Sequence, residues 1–336
     1  MKAAVLEDLE KISVKDIDKP VVKGKNVLIK VKVCGICGTD VHAYYGDWRP
    51  AFPLVLGHEL SGIIEEIGPE VKYVKVGERV TVAPDIYCHN CDNCRTGNET
   101  MCRNWESIGS TWDGAFAEYC LAPEEIIYTL PENVSFDTAS FIEPMACAFS
   151  TIKNISEIYS KRILVTGAGS LGLIFIMLLK NLSPLKLDIT SRSDEKIEIA
   201  KKLGTDEGIN TNGISGSYAQ LTNNKYDVVI DATGVTEVVE NSYDLLDNNG
   251  SLYIFGVAKS DSVLKLNHFS IFNKNIKILG GFPNLRSFDP IIKMLAKNIL
   301  DPSLIISHRF SLNNFLEGFD LIKKQSGSAM KVLIYP

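Results

Sequence analysis

The sequence predicts two kinds of domain, a β-rich domain and an α/β domain built on a doubly wound parallel sheet. Apolar and polar residues alternate over most of residues 1–150, whereas strand-like and helix-like segments alternate from residue 161 to about residue 282. A glycine-rich turn stands between the first strand and the first helix of this second region. The chain has 336 residues, which at roughly 150 residues per domain is enough for about two domains.

The β-rich domain is expected to comprise residues 1–150. Its segments follow a period of two, as in residues 26–33, NVLIKVKV, with glycine and proline between the short runs. The last segment, residues 287–336, contains a helical stretch around 290–297 and ends on an apolar strand, 331–335. We expect this last segment to return to the β-rich, barrel-like domain.

The α/β domain is expected to comprise residues 151–286. Near-continuous apolar strands alternate there with helical segments, as in a parallel sheet whose two faces are both covered. The predicted strands are residues 163–166, 187–190, 227–230, 251–255 and 276–279, and the predicted helices are residues 171–182, 195–203 and 235–246.

Composition and charge exclude several classes of partner. The chain is 45% hydrophobic and 23% charged, with a net charge of -6 and no dense block of lysine and arginine. A nucleic-acid or anionic-membrane surface is therefore not expected. The N-terminus lacks the apolar core of a signal peptide, and the longest apolar run, residues 171–179, is far shorter than the ~20 residues that cross a bilayer. These features favour a cytoplasmic protein.

Four of the eight cysteines form a compact run. Cys88, Cys91, Cys94 and Cys102 have the spacing CxxCxxCx7C. Four thiolates at this spacing suit a closed tetrahedral zinc site of the structural kind, which stabilises the local fold. We expect this structural zinc lobe to cover about residues 86–104.

A second group of metal-ligand residues has a different character. Cys37 is followed at a distance by His58 and Glu59, so the ligand types are mixed and the spacing is wide. An open zinc site that does chemistry has this composition. The chain would then bind two zinc ions. Cys34 and Cys37 also form a CxxC pair, but we expect no helix after it to lower a thiol pKa, so redox chemistry is disfavoured.

The glycine-rich turn indicates a dinucleotide site. It follows a predicted strand and opens a predicted helix, so its glycines permit a tight turn and close approach to a pyrophosphate. The residues of this turn assigned to the cofactor are Gly167, Gly169, Ser170, Leu171 and Gly172.

The end of the second α/β strand bears on the choice of cofactor. Ser191 and Arg192 stand where an acidic residue would accept a bond from the ribose 2′-hydroxyl, and a guanidinium suits a 2′-phosphate instead. NADP is therefore favoured over NAD. Lys196 either adds a second cation or is a solvated helix residue. Further cofactor contacts are expected just after the predicted strands 227–230 and 251–255, at Thr233, Gly256 and Val257.

These motifs together resemble the zinc-containing medium-chain dehydrogenase/reductase family, and within it the sorbitol and polyol dehydrogenase branch. The segments that carry the resemblance are GICGTDVH at 35–42, GHELSG at 57–62, the four-cysteine lobe, Glu143-Pro144 and the glycine turn. The resemblance implies a GroES-like catalytic domain interrupted by a Rossmann domain, with the active site in the cleft between them. It also implies a homo-oligomer, a dimer or a tetramer.

The resemblance implies roles for individual residues. Cys37 and His58 match two ligands of the catalytic zinc, and Asp40 matches the carboxylate that fixes the histidine ring. Thr39 matches the hydroxyl that takes the substrate proton, and His42 matches the histidine that passes it to solvent.

The third catalytic zinc ligand stays open among three residues. Glu143 resembles the carboxylate of the polyol branch, and Glu59 resembles an acid that binds zinc directly or sits behind it. Cys147 stands where alcohol dehydrogenases supply a cysteine, and it shares a helix face with Glu143 if that segment is helical. We favour either glutamate over the cysteine.

The expected function is hydride transfer between NADP and a secondary alcohol, polyol or sugar, or the corresponding ketone or aldehyde. The alternative is a non-catalytic, zinc-stabilised nucleotide-binding protein of the same fold. Polyol relatives commonly carry an arginine just after the last Rossmann strand, and this chain has GGFPN at 280–284 there. Asn284 or Arg286 could substitute, and Trp48, Arg49 and Trp112 are candidates for the substrate pocket. The substrate itself stays open.

Overall fold

The computed structural model describes residues 1–47, 51–281, 286–324 and 327–336. The chain divides into two compact units. One consists of Met1–Ala146 with Asn284–Pro336, and the other of Cys147–Pro283. Trp48, Arg49 and Asn284, which the sequence suggested for the substrate pocket, lie outside the described residues.

Strands dominate the described part of the chain up to residue 129. They are β1 (Lys2–Asp8), β2 (Lys11–Asp16), β3 (Asn26–Gly35), β4 (Leu54–Val55), β5 (Glu59–Ile67), β6 (Arg79–Val82), β7 (Asp85–Ile86), β8 (Glu106–Ser107), β9 (Tyr119–Pro123) and β10 (Ile127–Thr129). The α-helices up to residue 152 are α1 (Gly38–Tyr45), α2 (Asp92–Arg95), α3 (Phe136–Ala139) and α4 (Ile142–Ile152).

Strands and helices then alternate. They are β11 (Arg162–Thr166), α5 (Ser170–Lys180), β12 (Lys186–Ser191), α6 (Asp194–Leu203), β13 (Glu207–Asn210), β14 (Tyr226–Asp231), α7 (Thr236–Tyr243), β15 (Leu246–Ile254), α8 (His268–Asn273) and β16 (Lys277–Gly280). The last segment contributes α9 (Phe288–Ala296), β17 (Ile306–Ser311), α10 (Phe315–Lys323) and β18 (Lys331–Tyr335).

The main sheet of the first unit joins strands from both ends of the chain. Its order is β10-β6-β5-β3-β18-β17, and β9 also pairs with β3. Strand β3 lies near the centre, and its odd-numbered side chains from Val27 to Val33 are all buried, whereas Lys30 on the other face is exposed. The core behind it includes Phe116, Phe315 and Phe319, with the Phe116 and Phe315 rings 4.8 Å apart.

The second unit contains one parallel sheet of six strands in the order β13-β12-β11-β14-β15-β16. This order reverses between β11 and β14, as in a doubly wound sheet. The predicted α/β fold is thereby confirmed.

One predicted element boundary in this unit is wrong. The helix expected at 235–246 ends at Tyr243, and β15 already begins at Leu246, which pairs with Tyr226. Asn248, Asn249 and Gly250 follow Leu246, and Asn249 takes a positive φ of 60°. The chain accommodates that residue as an irregularity inside the strand pairing rather than as a break.

Two general features complete the fold. All eight cysteines are free thiols. Within the described residues, no helix combines the length and the apolar character needed to cross a bilayer.

Candidate functional site

The pairing of β3 with β5 brings Cys37 and His58 together. Gly35 lies opposite Glu59 in this pairing, so the residues after β3 and before β5 are neighbours. The ligand atoms of Cys37, His58 and Glu59 all lie within 4.8 Å of one another. The sequence placed these residues in one group, and the structure assembles them.

Asp40 connects the two segments that carry these ligands. Its buried carboxylate accepts the backbone N–H of Cys37 at 2.9 Å and that of Gly57 at 3.2 Å. One of its oxygens also lies 3.7 Å from His58 Nδ1. Burial raises the pKa of Asp40. The carboxylate therefore orients both the cysteine loop and the histidine loop.

Electrostatics make this group suitable for a metal cation. Burial alone would lower the pKa of His58, but Cys37, Asp40 and Glu143 outweigh it and raise that pKa. Negative charges that favour a proton on the imidazole also favour a bound cation in its place. The donor set of thiolate, imidazole and carboxylate fits zinc.

Helix α1 begins directly after Cys37, although we expected no helix there. Thr39 and His42 lie three residues apart on this helix and therefore on one face. Thr39 Oγ1 is 3.5 Å from Cys37 Sγ, and His42 Nδ1 is 3.0 Å from Asp47 Oδ2 near the surface. Cys34 remains unsuited to redox chemistry, because burial raises its pKa far above the usual value.

The three candidates for the third ligand differ in their surroundings. Glu59 lies with Cys37 and His58, but both of its oxygens also accept bonds from the Lys331 ammonium, at 2.7 and 2.5 Å. Glu143 is buried in the first turn of α4 and raises the pKa of both His58 and Lys331. Cys147 lies one turn further along α4, in the other unit.

The sequence did not reveal Lys331. It is 272 positions from Glu59 and belongs to no motif. The one local signal is a lysine that opens an otherwise apolar strand, since such a residue must find a partner when it is buried.

The four lobe cysteines form the second group whose ligand atoms lie within 4.8 Å of one another. Bonds from the backbone N–H groups of Asn90 and Cys91 lower the pKa of Cys88 to about 6, whereas burial raises the pKa of Cys94 to about 12. The convergence of four sulfurs fits one tetrahedral zinc ion.

Arg286 belongs to the surroundings of this lobe. Its guanidinium donates to Glu99 Oε2 at 2.6 and 3.0 Å, and Glu99 lies between the third and fourth lobe cysteines. The side chain that the sequence suggested for substrate hydroxyls is thus paired with a carboxylate of the lobe.

The glycine turn after β11 has the shape of a phosphate cradle. Gly167 takes a φ of +92°, and a Cβ on Gly172 would overlap the Gly167 carbonyl oxygen. A Cβ on Gly169 would meet nothing within 4 Å, so this face of the turn is open. The buried Oγ of Ser170, at the start of the 11-residue helix α5, has no hydrogen-bond partner among the described residues. A pyrophosphate fits such a site.

The neighbouring strand ends pack around this turn. Asp231 accepts the backbone N–H of Thr233 at 2.9 Å and of Gly234 at 3.1 Å, and a Cβ on Gly167 would overlap the Thr233 methyl group. A Cβ on Gly256 would overlap Gly234 in the same way. Val257, the next residue, is exposed. These residues meet at the carboxyl edge of the sheet, where such folds bind ligands.

The end of β12 carries two neighbouring cations. Arg192 is exposed, and burial together with Arg192 lowers the pKa of Lys196. The Ser191 hydroxyl accepts the N–H of Ser193 at 3.1 Å. Within the described chain, no acidic side chain occupies the end of this strand at 190–193, so its charge favours an anion.

Comparison with known proteins decides the family. Residues 23–132 match the alcohol dehydrogenase GroES-like domain, and residues 170–297 match the zinc-binding dehydrogenase domain. L-threonine 3-dehydrogenase of Salmonella paratyphi B is 32% identical over 344 aligned positions, which cover 99% of each chain. The chain belongs to the zinc-dependent medium-chain dehydrogenase family.

Solved structures of other dehydrogenases share the fold of this medium-chain dehydrogenase. A zinc-binding dehydrogenase of Sinorhizobium meliloti 1021, bound to NADP, is 30% identical with a TM-score of 0.92, over 100% of this chain and 99% of its own. An alcohol dehydrogenase of Escherichia coli CFT073, complexed with NADH, is 29% identical with a TM-score of 0.91 and the same coverage. The GroES-like and Rossmann folds expected of this dehydrogenase are confirmed.

Proposed function

We propose that this dehydrogenase transfers a hydride between NADP and a secondary alcohol, polyol or sugar, or the corresponding ketone or aldehyde. The observation that carries the proposal is the convergence of Cys37, His58 and Glu59 beside Thr39. A protein that only binds a nucleotide needs the glycine turn and the lobe, but it does not need this second donor group. The threonine dehydrogenase relative is named for a secondary alcohol, which supports the substrate class.

Different residues would bind the metal and transfer the proton. Cys37, His58 and one of the glutamates, Glu59 or Glu143, would hold a zinc ion whose chemistry is Lewis acidity toward the alcohol oxygen. Thr39 takes the hydroxyl proton. His42 passes it on to solvent, since it lies one turn away on α1 and near the surface.

We assign NADP because of the end of β12. The similar structures contain both NADP and NADH, so they support a nicotinamide cofactor without choosing between the two. Arg192 and Lys196 bring positive charge to the end of β12 and Ser191 brings no competing negative charge, which supports binding of a 2′-phosphate there.

A substrate panel tests this proposal. Sugars, polyols and secondary alcohols are offered with NADP and NAD in parallel, and reduction is followed by nicotinamide absorbance. We expect NADP reduction with at least one substrate class. Reduction of neither cofactor by any compound would contradict the function, and a preference for NAD of about tenfold or more would contradict the cofactor assignment.

We further propose a homo-oligomer, a dimer or a tetramer. Strand β16 has one neighbour, β15, in the described sheet, and Ile278 on it is 41% exposed. Phe269 and Phe272 on the preceding helix are also exposed. An open strand edge beside apolar side chains is a surface that a second copy can cover. Light scattering should show more than one chain per particle, and Phe272→Asp should shift the particle toward the monomer.

A further inference from the structure

Lys331 forms a buried ion pair inside the candidate metal site. It opens strand β18, and its side chain is only 4% exposed, against 1% for the side chain of Glu59. The ammonium bonds both Glu59 oxygens, at 2.7 and 2.5 Å, and lies 3.4 Å from the Ile36 carbonyl oxygen. A Cβ on Gly35 would overlap a Glu59 oxygen, so the backbone packs tightly against this pair.

The surroundings of Lys331 are those of the metal ligands. Its ammonium donates to both oxygens of Glu59, which shares the candidate ligand group with Cys37 and His58. The ion pair therefore brings a positive charge next to the candidate metal ligands. Isolated buried charges are costly, and such a pair is weak evidence for a purely stabilising role, because apolar residues of similar size are often as stable.

The charge balance suggests what Lys331 contributes. The thiolate of Cys37 and the carboxylates of Glu59 and Asp40 bring negative charge to the site, and a zinc ion would bring two positive charges. Removal of the Lys331 ammonium makes the site more negative by one charge. A negative site holds a cation more tightly but makes that cation a weaker electron acceptor.

We propose that Lys331 is a positioning residue of the metal site: it fixes Glu59 and supplies a positive charge that strengthens zinc as a Lewis acid at the expense of zinc affinity. This inference rests on the proposed zinc-dependent function. The direction of the change in zinc affinity distinguishes this role from a structural one. If Lys331 only stabilised the fold, its removal would weaken zinc binding.

The test compares Lys331→Met with Lys331→Arg. Zinc is removed from each full-length protein, and the affinity of the site that contains Cys37 is measured by competition with a chelator, with Cys37→Ser as the blank. In Lys331→Met we expect zinc binding to tighten at least about tenfold while kcat falls at least about tenfold. Lys331→Arg keeps the charge and should stay near the wild type in both measurements.

Two further variants keep the result interpretable. Lys186→Met removes the lysine that lies 3.4 Å from the buried Asp188 in the other unit, and it should leave zinc affinity unchanged. Glu59→Gln/Lys331→Met removes both charges of the pair, so it avoids an unpaired buried carboxylate if the single variant folds poorly. This double variant should not show the increase in zinc affinity that we expect of Lys331→Met.

Weaker or unchanged zinc binding in Lys331→Met would overturn the inference, and so would an arginine variant that behaves like the methionine variant. A wild type that oxidises no alcohol would refute the proposed function alone. The zinc affinities would still decide the role of Lys331.

Discussion

Asp40 is a buried carboxylate that connects the two segments of the candidate metal site. Its carboxylate accepts two backbone N–H groups, that of Cys37 itself and that of Gly57, which precedes His58. Its third neighbour is the imidazole itself, 3.7 Å away. Groups that orient a metal ligand typically matter almost as much as the ligands.

Replacing Asp40 with asparagine should weaken the site without removing a donor atom from it. An amide has one acceptor oxygen and no charge, so it cannot hold both loops and the imidazole in the same way. We expect zinc affinity or kcat to fall by about 10- to 100-fold. Glu124→Gln is the matched control, because Glu124 also accepts two backbone N–H groups, those of Lys72 and Tyr73. A control that loses as much zinc affinity would show a general folding effect instead.

Arg192 should decide the cofactor. A charged hydrogen bond contributes about 1.5–3 kcal/mol, so Arg192→Ala should raise the KM for NADP by about 10- to 100-fold and leave the KM for NAD nearly unchanged. Lys202 is an exposed cation in the last turn of α6, and Lys202→Ala should change neither KM. Equal KM changes for both cofactors would show that Arg192 does not contact the 2′-phosphate.

Among individual residues, the sequence predicted those that belong to short motifs. Cys37, His58 and the lobe cysteines stand out because metal ligands need particular side chains at particular spacings. Lys331 does not stand out, because its role depends on β18 lying beside β3, and pairing of distant strands leaves no local pattern.

Strand β11 (Arg162–Thr166) begins with an arginine that pairs with carboxylates of two other strands. Arg162 Nε lies 3.1 Å from Asp227, and its Nη2 lies 2.7 Å from Asp247. The contacts link the amino ends of β11, β14 and β15. Burial would raise the pKa of Asp227, but Arg162 outweighs it and lowers that pKa, and Arg162 likewise lowers the pKa of Asp247.

This cluster makes the second unit sensitive to acid. Both folded-state pKa values lie below the ordinary 3.8, so the stability they contribute is present above pH 3.8 and is lost as the pH falls through the folded values. Arg162→Met should therefore lower the free energy of unfolding at pH 7, and its difference from the wild type should shrink below pH 3.8. Urea unfolding at several pH values measures this. A difference independent of pH would contradict the role of charge.

Element types were more predictable than element boundaries. The strands and helices of the second unit follow from buried apolar runs separated by amphipathic ones. The start of β15 was misplaced because Asn248, Asn249 and Gly250 favour a loop locally. They lie in an irregularity of the strand, between the residues Leu246 and Ser251 that pair with β14.

The whole molecule combines a unit made from both ends of the chain with a unit made from its middle. The parallel sheet could be predicted because its strands follow one another through single helices. The position of β18 beside β3 could not be predicted in detail, since any apolar strand would satisfy the same pattern. That pairing nevertheless places Lys331 against Glu59 of the candidate metal site, so the last strand contributes to the chemistry that we propose for the first unit.

The two metal groups should behave differently in the intact protein. The four residues that converge in the lobe are all cysteines, as in a site that stabilises a fold. The Cys37 group offers mixed donors, with a hydroxyl and a histidine nearby on α1. Zinc in the lobe should therefore affect stability, and zinc at Cys37 should affect turnover.

The most direct measurement is turnover against bound zinc, in the wild type and in Cys37→Ser. Zinc is added back to the zinc-free protein, and NADP reduction is followed with the best alcohol of the panel. We expect the wild type to bind two zinc ions per chain and to gain activity only as the second site fills. Cys37→Ser should keep the lobe zinc and bind NADP normally, but it should not turn over. Near-normal turnover of Cys37→Ser would contradict the assignment of the reactive site.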